Sequence, residues 1–385
     1  MRFAPVIGLL CFAFNFLYIS AWAGSAGVEF QAPPYVFSRA GEHIVLAWSY
    51  KDDSVPVNLK APVTATINDG VKSEELQVAT DEELYYAQLP LPNCGFGDNV
   101  TYQVTGMSEP AAIKNIKCPG ENTASKFVFL ADTQVEKAGV KPLLQFNRVI
   151  EKFNPQALLI GGDLVQNGDK SVLWNQLLRS IHPVIGSTVL IPGIGNHEYH
   201  WDPNVGNWFH FFRIDAHAAY YITNVGDTQI ISLNSCFWDD PLIVTPERMW
   251  LETQLMLSKP RWRIVFFHHP TYSNGIMHNP VYPKREFETL RKDFMPLFEK
   301  YKVDMVLSGH VHLYERSEKD GIVYMTSGPA AGQIGIFGGV NPYSIRKERM
   351  RTAIEFTVDH NQFLANAVDI NGNVIDTVRL HKDDL

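Results

Sequence analysis

Five short polar clusters stand immediately after apolar runs, and every one of them carries metal-ligand side chains. They are Asp132 in FVFLAD, Asp163 in LLIGGD, Asn196-His197-Glu198 in IPGIGNHE, His268-His269 in RIVFFHH and His310-Val311-His312 in MVLSGHVH. The donors are carboxylate, amide and imidazole, with no thiolate, a mixture that suits hard-to-borderline cations such as manganese, iron and zinc. Two ligand sets sharing one aspartate would form a two-metal centre, and the chemistry of such centres is displacement at phosphorus. A bridging carboxylate holds the two ions at roughly 3.5–4 Å. Bound ions acidify water and neutralise phosphoryl oxygens in the transition state. A neutral amide ligand at Asn196 keeps the site positive, as an anionic substrate requires. Read as an extended segment, Gly-His-x-His puts both imidazoles on one side, within reach of two adjacent ions.

An apolar run that ends in a ligand is how a buried strand delivers a side chain to the rim of a parallel sheet. Short apolar runs recur at 127–131, 157–161, 189–194, 229–233, 263–267, 304–307 and 322–326. Between some of them the pattern turns helical. Leu143, Phe146, Ile150 and Phe153 recur at helical spacing within 141–153, and Phe287, Leu290, Phe294 and Leu297 do so within 286–298. Alternating strands return after about 351, with an Asn371-Gly372 turn, and should finish the sheet edge. Before 122 the texture differs: short alternating stretches (43–48, 63–67, 84–89, 100–104) are separated by turn residues and carry no ligand cluster. The expected organisation is a leader over 1–23, an all-β sandwich of fibronectin III type over 24–122, and a layered α/β/β/α domain over 123–385.

The order of the clusters is more specific than any one of them. Asp is followed about 30 residues on by Gly-Asp, about 30 further by Gly-Asn-His-Glu, then by a strand ending in His, then by Gly-His-x-His. This order resembles the calcineurin-like metallophosphoesterase superfamily over roughly residues 126–330. Within it the chain is most similar to purple acid phosphatases, through GHVHLYER at 309–316, through VFFH at 265–268 with Pro270 and Tyr272, and through the β module that precedes the catalytic region. The resemblance implies that Asp132, Asp163 and His312 bind a first metal and that Asp163 bridges to a second, held also by Asn196, His268 and His310. His197 would face the phosphate, stabilise its charge and protonate the leaving oxygen, with Asn196 and the loop residue His278 also reaching substrate. His278 is equally readable as a solvated loop histidine, and His268 is favoured over His269 as the ligand.

Two positions depart from the family pattern. Where purple acid phosphatases carry the tyrosine that gives their colour, this chain has Gln166, and where other members carry a histidine two residues after the first Asp, it has Gln134. Gln134 matches an Asp-x-Gln variant and is expected to ligate through its amide oxygen; Gln166 is expected to pack or hydrogen-bond nearby. Two divalent or mixed-valence ions of Fe, Mn or Zn are expected, without purple colour. Glu198 is expected to support the ligands, not to react. His200 and Trp201 are candidates for the pocket rim, Tyr314-Glu315-Arg316 for a turn network, and Trp208, Phe209, Phe211 and Phe212 for core or lid.

The 385 residues, 45% of them hydrophobic, suffice for two domains, and a net charge of −8 argues against a nucleic-acid polymer or an anionic membrane surface as partner. Arg2, the apolar run from Val6 to Tyr18 and Ala21-Trp22-Ala23 read as an export signal, which implies a secreted or periplasmic chain without a membrane anchor once cleaved. Lys382-Asp383-Asp384-Leu385 resembles a lumenal retention signal with its third letter off-pattern. Asn99-Val100-Thr101 is a glycosylation sequon. Cys94 and Cys118 are the expected disulfide pair, and Cys236 a buried free thiol. The function expected is hydrolysis of small phosphomonoesters by hydroxide generated at the metals. The alternatives are a phosphodiesterase or nucleotide pyrophosphatase of the same superfamily, or a non-catalytic binding protein in which metal serves structure alone. Length and composition leave the oligomeric state open.

Overall fold

The computed structural model describes strand segments between residues 30 and 117, and then 124–383 except for 136–138, 214–218, 238–239 and 277–284. The export signal, Cys94, Cys118 and His278 lie outside the described residues, as do the last two positions of the C-terminal tetrapeptide.

Eight strands precede the ligand-bearing region: β1 (Phe30–Arg39), β2 (His43–Tyr50), β3 (Val63–Ile67), β4 (Lys72–Glu75), β5 (Val78–Asp81), β6 (Leu84–Gln88), β7 (Asn99–Val104) and β8 (Lys114–Lys117). Then strands and helices alternate: β9 (Ser125–Leu130), α1 (Lys141–Phe153), β10 (Ala157–Ile160), α2 (Ser171–Ile185), β11 (Val189–Pro192), α3 (Gly206–Phe212), β12 (Tyr221–Val225), β13 (Thr228–Ser232), α4 (Pro241–Leu257) and β14 (Trp262–Phe266). After α5 (Arg285–Thr289) and α6 (Met295–Lys300) come β15 (Met305–Ser308), β16 (Tyr314–Lys319), β17 (Ile322–Thr326), β18 (Ser344–Glu348), β19 (Thr352–Val358), β20 (Gln362–Asp369) and β21 (Val374–His381).

Two large sheets form the middle layers. One runs β21-β20-β19-β9-β10-β11-β1-β2-β6-β5, the other β12-β13-β14-β15-β17-β16-β18. The central pairs are parallel: β9 with β10 and β10 with β11 in the first sheet, and β13, β14, β15 and β17 in series in the second. Buried on both faces, these strands are continuous apolar runs, with β10, β13, β14 and β15 buried at every position. The sheets meet face to face through edge-on rings, Phe129 against Phe266 at 6.1 Å. On the outer face of the first sheet, α1 and α2 bury Leu143, Phe146, Ile150, Trp174 and Leu178. On the outer face of the second, Leu251 of α4 packs with Phe294, Phe298, Val265 and Val306. The α/β/β/α layering matches the expectation.

Three details go beyond it. The N-terminal strands divide: β4-β3-β7-β8 make a separate four-stranded sheet, while β1, β2, β6 and β5 extend the first large sheet through the parallel pairing of Phe37 with Leu190. The helix expected over 286–298 is interrupted by a π turn at Leu290–Phe294, where the Met295 N–H reaches back to the Leu290 carbonyl. Pro296 follows directly; it has no N–H to donate to the preceding turn, and its ring crowds the carbonyl there. The aromatic set at 208–212 is core: Trp208 and Phe212 are fully buried, and Phe212 meets Trp208, Trp174 and Phe37 edge-on.

Candidate metal centre

Five parallel strands of the two sheets converge at their C-terminal ends. Leaving β9, β10, β11, β14 and β15, the chain presents Asp132, Asp163, Asn196, His268 and the pair His310/His312. The backbone there is unusual. Asp132, Asp163, His310 and His312 have positive φ (55°, 52°, 68° and 56°). Left-handed conformations are uncommon for side-chain-bearing residues and concentrate at functional sites. They also correct the extended reading of Gly-His-x-His. β15 ends at Ser308, and the two imidazoles are aimed by two left-handed residues in a turn, not by strand alternation.

Two triads result, Asp163/His268/His310 and Asp132/Asp163/His312, with the ligand atoms in each within 4.8 Å of one another. Asp163 belongs to both. Its Oδ2 lies 3.0 Å from His268 Nε2, while Oδ1 accepts the His197 N–H at 2.9 Å. Asp132 Oδ1 lies 3.3 Å from His312 Nε2, and its carboxylate accepts the His310 N–H. The tautomers are set from behind: His268 Nδ1 donates to the Gly161 carbonyl at 2.9 Å and His312 Nδ1 to the Gln333 carbonyl, which leaves both Nε2 atoms for an ion. Among residues outside those triads, Asn196 Oδ1, Gln134 Oε1 and Gln166 Oε1 are buried with no hydrogen-bond partner. A buried acceptor left unpaired costs about 1–3 kcal/mol. Bare amide oxygens beside two Asp/His triads are what a cation would satisfy, so the donor set fits a pair of metal ions.

Charge reinforces the pairing. Burial alone would raise the Asp163 carboxyl, but His268 and then His197 more than offset it and hold it well below the ordinary range. Burial works against the His268 imidazolium, yet Asp163 and Asp132 lift it to about 9. His312 rises likewise to about 9, against burial, through Asp132 and the Gln333 carbonyl.

His197 completes the arrangement. Its Nδ1 lies 2.8 Å from the Gln166 carbonyl and its Nε2 3.8 Å from Asp163 Oδ2, so the ring is held at the back and faces the triads in front. His200 packs on it at 4.2 Å between ring centroids, whereas Trp201 is 81% exposed. His269 turns away from Asp163, with Nδ1 2.9 Å from Ser235 Oγ and its ring against His310. Cys236 is a partly buried free thiol two residues from Asn234. Gln166 thus contributes its backbone carbonyl to His197 as well as a bare side-chain oxygen.

Of the supporting residues, Glu198 and Glu315 were legible in the sequence and the asparagine partners of Glu315 were not. Glu198 is fully buried and accepts from Asp163, Leu164, Val165 and Gly195 N–H at 2.9, 2.7, 3.2 and 2.7 Å. Glu315, three residues after His312, accepts from Ser273 Oγ, Asn274 N, Asn274 Nδ2 and Asn341 Nδ2 at 2.6–3.1 Å. Asn274 and Asn341 carry no sequence signal, because their partner lies 41 and 26 positions away. Space is tight as well: a Cβ on Gly162 (φ +87°) would stand 2.7 Å from His268 Nδ1.

Residues 125–314 match the family model described as calcineurin-like phosphoesterase. That stretch is similar to calcineurin-like phosphoesterases, and purple acid phosphatases are among the relatives the chain matches. It is 31% identical over 202 residues to a phosphoenolpyruvate phosphatase of Allium cepa, covering 46% of this chain and 40% of that one. It is 32% identical over 193 residues to the Fe(3+)-Zn(2+) purple acid phosphatase 12 of Arabidopsis thaliana, covering 43% and 38%. The chain thus spans well under half the length of these relatives in the matched region. The solved structure of purple acid phosphatase PPD1 from Lupinus luteus shares the fold at a TM-score of 0.72 and 16% identity, over 91% of this chain and 74% of that one.

Proposed function

We propose that this protein is an exported phosphatase that hydrolyses small phosphomonoesters at a two-metal centre. One observation carries the reading: two ligand triads share Asp163, with the bare oxygens of Asn196 and Gln134 beside them and His197 facing them. Asp132, Gln134 and His312 would hold one ion, Asn196, His268 and His310 the other, with Asp163 between. When bound, the two ions supply Lewis acidity, a water acidified enough to attack, and neutralisation of the phosphoryl charge. His197 supplies the proton. With Nδ1 set against the Gln166 carbonyl, Nε2 is the nitrogen that faces the triads and would pass the proton to the departing oxygen. Asn196 and His197 orient the phosphoryl group. Gln166 at the tyrosine position, a neutral amide in place of a phenolate, favours divalent ions over Fe(III) at the first site.

The export reading rests on the N-terminal sequence, and among the described residues no helix is long and apolar enough to cross a membrane. The test is turnover of p-nitrophenyl phosphate against bis-p-nitrophenyl phosphate after reconstitution with Mn, Fe or Zn. The monoester should be preferred, and Asp163→Asn should lower kcat/KM at least about a hundred-fold with loss of bound metal. Preference for the diester would replace monoesterase by diesterase. A folded, metal-loaded protein without turnover would point to a binding role.

A further inference from the structure

We propose that the metal centre opens onto a rigid apolar rim that selects phosphomonoesters with an apolar or aromatic body. This rests on the phosphomonoesterase reading above and names its substrate class. Ile276, Ile334, Ile336, Phe337 and Val340 are between 37% and 69% exposed. Scattered exposed hydrophobics are ordinary, but a contiguous set beside a polar site marks a binding surface.

Their place in the fold ties them to the candidate ligands. The Gly335 N–H donates to the His312 carbonyl at 2.9 Å, two residues from the Gln333 carbonyl that holds the His312 ring. Gly275 seats on Val311, between the two histidine ligands, so closely that a Cβ there would lie 2.8 Å from Val311 Cβ. The Ile276 N–H donates to the Ile336 carbonyl at 3.1 Å, and Gly275 bridges to Phe337. Ile276 and the 334–340 segment therefore form one surface, starting at the metal ligands and running outward.

That surface is fixed. Gly338 and Gly339 N–H donate to the Asn274 carbonyl at 3.0 and 2.9 Å. Asn274 and Asn341, on either side of the rim, are both held by buried Glu315. The Arg349 guanidinium braces the Gly335 carbonyl at 2.8 Å, and Lys347 Nζ lies 5.1 Å above the Phe337 ring. The rim thus needs no ordering when it receives a ligand, and its cationic edge favours an anionic one. An ester whose phosphoryl group sits between the triads would lay its leaving group along this surface.

The n-alkyl phosphates from ethyl to hexyl test this, since their alkoxides leave with nearly equal ease and differ only in apolar length. With metal-reconstituted protein, kcat/KM should climb about two-fold per methylene, roughly half the effect of full burial. Non-hydrolysable n-alkylphosphonates should show the same progression in Kd by calorimetry. Ile336→Ser with Phe337→Ser should flatten both series, with the largest loss at hexyl and the smallest at ethyl. If the double variant does not fold, Ile336→Ser alone, at a position 49% exposed, makes the same comparison. Equal kcat/KM across the series with brisk ethyl phosphate turnover would overturn the rim and leave the phosphomonoesterase reading standing, as would a slope that survives the substitutions. No turnover of any member by folded, metal-loaded protein would remove both.

Discussion

At the scale of single residues, Glu198 shows how a buried side chain outside both triads ties together the turns that build them. Its carboxylate gathers N–H groups from both sides of the centre: three from the turn that carries Asp163, one from the turn that carries Asn196. Burial pushes the carboxyl up to about 8 and Asp163 pushes the same way, while the Gly195 and Val165 N–H groups pull it down. A neutral amide accepts at one oxygen and would bring an NH2 donor into this ring of donors. Glu198→Gln is therefore expected to cost about 2–4 kcal/mol in chemical denaturation, from buried groups left unpaired. Misplacing Asp163 and Asn196 together should also weaken metal binding roughly 10–100-fold, measured by titration with Mn or Zn. Unchanged stability and metal affinity in this variant would show that the two turns are held by other means.

At the scale of elements, one polar link between the two sheets lies away from the Asp/His triads. Asp376 on β21 of the first sheet accepts from Arg316 Nε at 2.7 Å and the Tyr314 hydroxyl at 2.8 Å, both on β16 of the second. Partial burial alone would raise its carboxyl, but the Arg316 and Tyr314 bonds lower it below the ordinary value. A depressed folded-state pKa contributes stability that is present above the unfolded carboxylate pKa, about 4, and lost as pH falls toward the folded one. Asp376→Asn should thus lower the melting temperature at pH 7, with the gap to wild type narrowing below about pH 4. A gap independent of pH would assign the effect to packing instead. Elements also mark where the sequence was legible. Buried parallel strands announced themselves as apolar runs, and the carboxylate, amide and imidazole positions at their ends announced the residues that gather at one rim. The left-handed backbone at Asp132, Asp163, His310 and His312 did not, because these residues adopt it under tertiary constraint, where glycine would have signalled it.

At the scale of the molecule, the change of texture near residue 122 marks a change in chain character more than a seam in the packing. β1 extends the first large sheet beside β11, and Phe37 meets Phe212 with ring centroids 5.9 Å apart. The Tyr35 hydroxyl donates to the Phe211 carbonyl at 2.8 Å, and the buried Tyr102 hydroxyl to that of Gly186. Arg179 of α2 reaches the Gln31 carbonyl at 2.8 Å, and the Arg213 guanidinium lies 4.6 Å over the Tyr86 ring. A single parallel pairing such as Phe37 with Leu190 leaves no mark in a sequence, because either strand reads the same with or without its neighbour. The physical consequence is nonetheless large. Cutting the chain at 123 would strip one edge of the first large sheet and open the Trp174, Phe211 and Phe212 cluster to water, at about 1.5–3 kcal/mol for each large side chain exposed. Against a whole-domain stability of about 5–15 kcal/mol, that loss removes most of the margin. Residues 123–385 expressed alone should therefore be aggregated or lack near-ultraviolet circular dichroism, while the chain from residue 24 folds cooperatively. A soluble 123–385 fragment that melts cooperatively and binds two metal ions would show that the N-terminal strands are an accessory to the sheet, not part of its core.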